Sequence, residues 1–256
     1  MEEKNVRQKR PFFRFFELWL QNFWMLLPLN FISTVLRVVL IPCGLAQAGI
    51  TNITRNLARD KHSFGISDYF DTIKANWKRA LPMGLLNLVV NALLCYGMLF
   101  YYNSEGFFAD LALGLLILCF VVFAFMRYYM WTLLVTFDLS AAKIYKNSFL
   151  LAFVNLKGNL FLGVIQLILY GGSFLLLLRI PHFLVLFLIT ILVTFIFPGF
   201  FQLLVQFNTF HAIKKYMIDP YYEAHPEADT DLRRSLSLET GEPAEEKPEP
   251  VFRDEE

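Results

Sequence analysis

A chain of 256 residues with 56% hydrophobic content, 28 phenylalanines and a mean hydropathy of +0.47 is too apolar for an ordinary soluble domain. Its net charge of +1 conceals an asymmetry: from Asp219 onward 13 acidic residues stand against 4 basic ones, while the preceding part is net basic. One membrane domain with a solvated tail fits that partition, and no nucleic-acid partner is expected of it.

The chain opens on Lys4, Arg7, Lys9, Arg10 and Arg14, which make residues 1–14 a basic N-terminus. No small-residue cleavage site follows, so the first apolar run is expected to stay as a helix. A hydrocarbon core of ~30 Å needs ~20 apolar helical residues. On that ruler, spans fall near Phe15–Leu40, Leu81–Tyr102, Phe108–Thr136, Leu160–Leu178 and Phe183–Phe210. Basic loops stay on the cytoplasmic side. The loop bearing Arg55, Arg59, Lys61, Lys74, Lys78 and Arg79 therefore belongs with the N-terminus, and the chain must return before Arg55. Pro42–Leu57 is the only stretch that can make this return. It is short and carries Gln47, Thr51 and Asn52, which reads as a weak span or a re-entrant arm packed on protein.

The loop with Lys143, Lys146 and Lys157 then faces inward, as do Lys214 and Lys215. The expected fold is an all-α polytopic transmembrane bundle of about six spans, with its membrane domain over residues 15–218 and both termini cytoplasmic. Residues 219–256, with Pro–Glu repeats and almost no apolar run, read as an acidic disordered cytoplasmic tail. The basic inner rim suits anionic lipid head groups, so the bilayer is the first expected partner.

A repeat at an offset of 79 residues matches Phe70, Asn76, Lys78, Leu81, Gly84 and Leu88 with Phe149, Asn155, Lys157, Leu160, Gly163 and Leu167. In each copy a short amphipathic helix is expected to lead into a span, flat at the cytoplasmic interface. Tyr69, Ile73 and Trp77 form the aromatic face of the first, and Tyr145, Phe149 and Phe153 that of the second.

Arg127 falls near mid-membrane, eleven residues before Asp138, and no acidic residue lies deep in any span. Such a charge costs at least ~2.5 kcal/mol to insert. It must face protein, water or a ligand: either it donates to backbone carbonyls freed by broken helices, or it binds an anion. Helical spacing gathers further polar residues into stripes: Asn30, Thr34 and Arg37; Gln47, Thr51 and Arg55; Asn87 and Asn91; Gln202, Gln206 and Thr209. Interhelical hydrogen bonding accounts for these at under ~2 kcal/mol apiece, and a hydrated central cavity is the alternative. Pro198-Gly199 interrupts the last span and frees a carbonyl near Thr194, whose own hydroxyl is expected to compensate.

Cys43, Cys95 and Cys119 make no disulfide framework or metal motif and read as buried free thiols. His62, His211 and His225 belong to the cytoplasmic side and His182 to an outer turn, away from any proton relay. No serine triad, zinc, Walker or dinucleotide motif occurs, so no cofactor, metal or catalytic residue is assigned and the chain is expected not to be an enzyme.

Thr54-Arg55-Asn56-Leu57-Ala58-Arg59, then Ser67-Asp68-Tyr69-Phe70 and Asn76-Trp77-Lys78, give the chain a recognisable signature. With Asn22-Phe23-Trp24 to Pro28, and Phe137-Asp138-Leu139-Ser140 with its Lys146-Asn147-Ser148-Phe149 continuation, the chain resembles the YesL-like family of bacterial membrane proteins. That family is a domain of unknown function. The first hairpin departs from the family's short Pro-x-x-Thr turn, since Pro28, Thr34 and Pro42 are spread out. The resemblance implies a bacterial cytoplasmic-membrane protein acting beside carbohydrate uptake. ABC transporter subunits are then the expected partners, self-association is left open, and no catalytic residue carries over. A non-enzymatic accessory or regulatory role in that uptake is the first expectation. A small-solute transporter or channel with an arginine-containing cavity is the second.

Overall fold

The computed structural model describes residues 11–59, 61–180 and 182–224. Residues 1–10 of the expected basic N-terminus and 225–256 of the expected tail lie outside the described residues. The described residues are all-helical: α1 Pro11–Gln21, α2 Phe23–Val38, α3 Cys43–Ala58, α4 Ile66–Tyr102, α5 Phe107–Thr136, α6 Ala141–Val154, α7 Leu156–Gln166, α8 Gly172–Arg179, α9 Phe183–Ile191, α10 Phe197–Ile213 and α11 Asp219–Ala224. Short π-helical segments join α7 to α8 (Leu167–Gly171), α9 to α10 (Leu192–Ile196) and α10 to α11 (Lys214–Ile218). Helix therefore continues past the expected boundary at residue 218.

Four of the resulting rods are long and apolar enough to cross a membrane: Ile66–Tyr102, Phe107–Thr136, Leu156–Arg179 and Phe183–Tyr221. Little of their apolar surface is covered by protein. Leu93, Leu99, Leu115, Leu118, Phe174 and Phe187 are all exposed, which fits helices solvated by lipid chains. Cys95 and Cys119 share this outward exposure and Cys43 is half-buried, so the three free thiols are not core residues.

The stretch Pro42–Leu57 folds as α3, which with α2 forms a hairpin set inside the bundle. Gly44 of α3 meets Gly84 of α4 backbone to backbone: a Cβ on Gly44 would stand 2.2 Å from the Ala80 carbonyl oxygen and 2.7 Å from the Gly84 Cα. Farther down the pair, Asn52 Nδ2 donates to Thr72 Oγ1 at 2.7 Å. These contacts put the tip of the hairpin level with Gly84. From there α4 climbs to Tyr102, ~27 Å more at 1.5 Å per residue. The hairpin thus turns back well short of Tyr102 at the end of α4 and Phe107 at the start of α5.

Its turn has an unusual make-up. Val38, Val39, Leu40 and Ile41 are all exposed, and Leu40 adopts φ 66. A turn in water would place glycine, asparagine or aspartate there. The tip also pairs its own backbone donors: Val39 N–H to Val35, Leu40 N–H to Arg37, Ile41 N–H to Val39 and Cys43 N–H to Leu40, at 3.4, 3.0, 2.8 and 3.2 Å. Hydrocarbon demands that internal pairing.

The two copies of the 79-residue repeat fold differently. In the first, helix runs unbroken from Ile66 through the expected junction, so the amphipathic segment is the lower third of α4 and not a separate element. Its Asn76 donates to Thr72 of the same helix at 3.0 Å, its Tyr69 is fully buried, and its Trp77 is 52% exposed. In the second copy the helix breaks at Asn155, between α6 and α7. Asn155 Nδ2 donates to the Tyr129 hydroxyl at 3.0 Å, which donates to Asn159 Oδ1 at 2.9 Å, and Asn159 Nδ2 donates to the Ala152 carbonyl at 2.9 Å. Tyr129 thereby ties both sides of the break to α5. Phe149 stays exposed on α6.

The well-packed core occupies the half of the bundle that holds α3. Tyr129, Met130, Leu133, Ile144, Leu162, Ile50, Ile53 and Leu203 are fully buried there. At its lower rim Arg55 donates to the Val135 carbonyl, to Thr136 Oγ1 at 3.1 Å and to Asn52 Oδ1 at 2.6 Å, pinning α3 to the end of α5. Arg59 lies 4.5 Å over the Phe210 ring, and burial, then neighbouring Arg55, bring its pKa down to about 10. Arg79 pairs with Asp138 at 2.7 Å, but Asp138 is 98% exposed, so this pair contributes little.

Candidate functional site

Above that core the bundle opens into a cavity of about 280 Å³, with a smaller chamber of about 190 Å³ beside it. Arg37, Gln47, Arg127 and Trp131 line both, so the two chambers share one wall. Tyr128, Gln166, Tyr170, Phe201 and Gln202 are among the further residues of the larger chamber, and Cys43, Asn87, Leu88 and Asn91 among those of the smaller. Among the described residues, no aspartate or glutamate lines either one. The site is therefore two cations among amides and aromatic rings.

The two arginines are held differently. Arg37, near the end of α2, donates from its terminal nitrogen to Gln47 Oε1 at 2.8 Å. Guanidinium can only donate, so Gln47 must present its carbonyl to it and turn its amide nitrogen away. That nitrogen donates to Gln202 Oε1 at 2.9 Å, and Gln202 Nε2 donates in turn to Thr51 Oγ1 at 2.9 Å. A single charge thus sets the direction of a chain that links α2, α3 and α10. Arg37→Leu should free Gln47 to reorient, leave its carbonyl unpaired and cost about 1–2 kcal/mol in unfolding measurements. An unchanged unfolding midpoint would show that the chain does not latch the hairpin.

Arg127 has no such partner. Among the described residues none accepts a hydrogen bond or ion pair from its guanidinium, although it lines both chambers. The expected alternative, donation to carbonyls freed by broken helices, is not what the structure shows. Those carbonyls are taken by α2: Asn30 Nδ2 donates to Phe195 O at 2.6 Å and Thr34 Oγ1 to Thr194 O at 3.2 Å. The π-helical segment before Pro198 is thus satisfied from the neighbouring helix and not by the hydroxyl of Thr194. Asn30 and Thr34 serve this latch and do not line the cavity.

Asn87 and Asn91 do line the smaller chamber, but each donates within α4, to the Met83 carbonyl at 2.8 Å and to the Asn87 carbonyl at 2.7 Å. The Asn87 carbonyl oxygen is buried without a hydrogen-bond partner among the described residues. Tyr69, Asn76, Trp77, Phe149 and Asn155, grouped in the sequence by the repeat, lie outside both chambers. Tyr128, Trp131, Gln166 and Tyr170 carry no distinguishing sequence signal, because single aromatic and amide residues in apolar helices are common. Tyr128 donates to Gln166 Oε1 at 2.7 Å, which fixes the wall between α5 and α7.

Chemically, an unpaired guanidinium beside a second arginine and several amides is a site for an oxyanion, which it can take bidentately. Among the described residues no group of histidine, cysteine or carboxylate side chains is placed to hold a metal ion. No family model, curated protein or solved structure matches the chain, and its own residues carry the functional reading.

Proposed function

We propose that this chain is an integral membrane protein of four spans whose α2–α3 hairpin re-enters from the cytoplasmic side, and that its cavity binds an anionic group of a solute. The four long apolar rods and the shallow, apolar hairpin tip support the topology, which keeps both termini on one side as the basic loops require. It replaces the expected full crossings at Phe15–Leu40 and Pro42–Leu57 with one re-entrant arm. A bacterial cytoplasmic membrane is the setting that the resemblance implies.

One observation carries the functional reading: Arg127 faces a cavity with a second arginine and, among the described residues, no carboxylate and no acceptor of its own. An uncompensated charge in a low-dielectric site is stabilised by a ligand of opposite sign. Translocation of that ligand requires the packed layer beneath, with Tyr129, Met130 and Leu133, to open. The solute-transport reading is therefore this cavity in alternation with a second state.

Thermal unfolding of the detergent-solubilised full chain tests the reading. Carboxylates and phosphates of increasing apolar size should each be compared with a neutral analogue. Charged members should stabilise, by about 2.7 kcal/mol at a hundredfold excess over Kd, and Arg127→Gln should abolish the difference. Equal effects of charged and neutral compounds would overturn it.

An accessory role beside a carbohydrate-uptake transporter is the second reading. It is favoured by α6, which leaves Phe149, Leu150, Phe153 and Val154 exposed at the inner rim as a surface for a partner. Mild-detergent purification should then recover transport subunits, and consistent recovery of the chain alone would count against it.

A further inference from the structure

The surroundings of the cavity limit what kind of anion can reach it. Below, the route toward the inner rim is closed by Tyr129, Met130, Leu133 and Leu203, all fully buried, and by the Thr132–Gln206 pair at 3.0 Å. Above, the bundle divides. α4 packs along α5, with Gly97 against Leu116, while α8 and α9 form a separate hairpin. The two hairpins meet through α5 and α7 near the cavity, where Tyr128 bonds Gln166 and Phe125 lies 3.3 Å from where a Cβ on Gly163 would be, and α8 does not pack extensively on α5.

Both arms are almost wholly apolar above the arginines. Residues 111–126 of α5 carry no charged, amide or hydroxyl side chain, and residues 174–178 and 183–189 are leucine, phenylalanine, isoleucine and valine alone. By helical rise α5 runs ~30 Å from Arg127 to its outer end. A hydrated anion entering from that side would meet, between Tyr101 and Asn91 of α4, the Tyr96 hydroxyl alone as a side-chain group able to replace its water, and none over residues 111–126 of α5. An anion with an acyl tail faces no such penalty, because the tail is solvated by the same side chains that repel a bare ion.

On the proposed anion-binding reading, we infer that the ligand is an anionic amphiphile, an acyl chain with a carboxylate or phosphate head. The head lies against Arg127, backed by Arg37, Gln166 and Gln202, and the chain rises between the α4–α5 and α8–α9 arms into the bilayer. Trp131 stands in the wall common to both chambers. The cavity thus reports its own occupancy.

The test uses the full chain in phosphatidylcholine vesicles with Trp19, Trp24 and Trp77 changed to phenylalanine, so that Trp131 fluoresces alone. A 2,3-dibromostearate, whose bromines sit beside the head group and quench tryptophan on contact, is compared with its uncharged methyl ester. The acid should quench at about tenfold lower concentration than the ester. Arg127→Gln should erase this difference, and Arg127→Lys should retain part of it. Millimolar acetate or inorganic phosphate should not displace the acid. Displacement by those soluble ions would overturn the amphiphile while leaving the anion site intact. Equal quenching by acid and ester in the unsubstituted site would overturn the amphiphile too. Indifference of acid quenching to Arg127→Gln, with no charge-selective thermal stabilisation, would overturn the anion site as well.

Discussion

Arg127→Leu should make the ligand-free protein more stable, by about 2 kcal/mol, while removing every charge-selective effect of added ligand. The two halves of this expectation have one cause. A guanidinium placed two-thirds of the way along an apolar helix is costly, and no described residue accepts from it. Leucine removes that cost and fills part of the cavity. An arginine serving the fold would behave in the opposite way, since truncating one partner of a buried polar contact strands the other. Arg37 provides that contrast within the same cavity, because its removal orphans Gln47. Opposite signs for the two arginines, read by unfolding in mixed micelles of rising denaturing-detergent content, are the expected result. A loss of stability at Arg127 matching that at Arg37 would assign both to structure.

The second large effect lies where the hairpin meets α4. Gly44→Val should destabilise by about 3 kcal/mol or more and release the hairpin from the bundle. The obstacle is backbone, the Ala80 carbonyl and the Gly84 Cα, so no rotamer change relieves it. Separating α3 from α4 would also break the Asn52–Thr72 bond and draw Gln47 from Gln202, which opens the cavity floor. Protease sensitivity at the loop after α3 should rise together with the loss of ligand-dependent stabilisation. If Gly44→Val folds and binds as the unsubstituted chain does, the close α3–α4 approach is not what seats the site.

Composition and run length made the helical class and the four long apolar rods legible in the sequence, because lipid exposure needs apolar residues on every face. The alternation of basic loops also asked for a chain reversal before Arg55, and α3 packs back along α2 there. What could not be read was depth. Sixteen residues of α2 and sixteen of α3 look alike whether they cross or turn back. The contact that sets the tip level with Gly84 is a glycine pair forty positions apart. The apolar turn Val38–Ile41 was the local clue, since an aqueous turn would not be built from those residues.

The site was legible in part for a similar reason. Arg127 stood out as a lone charge, and Arg37 and Gln47 as members of stripes, yet stripes do not say which helix they face. Asn30 and Thr34 turned to the π-helical segment instead, drawn by carbonyls that the break before Pro198 leaves open. The repeat matched residue for residue but not in structure: Asn76 satisfied itself within its helix, whereas Asn155 found Tyr129 and broke the helix there.

A crystal structure of the full chain grown with a bromine-labelled long-chain carboxylate confronts the central claim directly. The expected result is an anomalous peak between the α4–α5 and α8–α9 arms, with the carboxylate within hydrogen-bonding reach of Arg127. An empty cavity in which the Arg127 guanidinium has turned to a backbone carbonyl of its own bundle would contradict it.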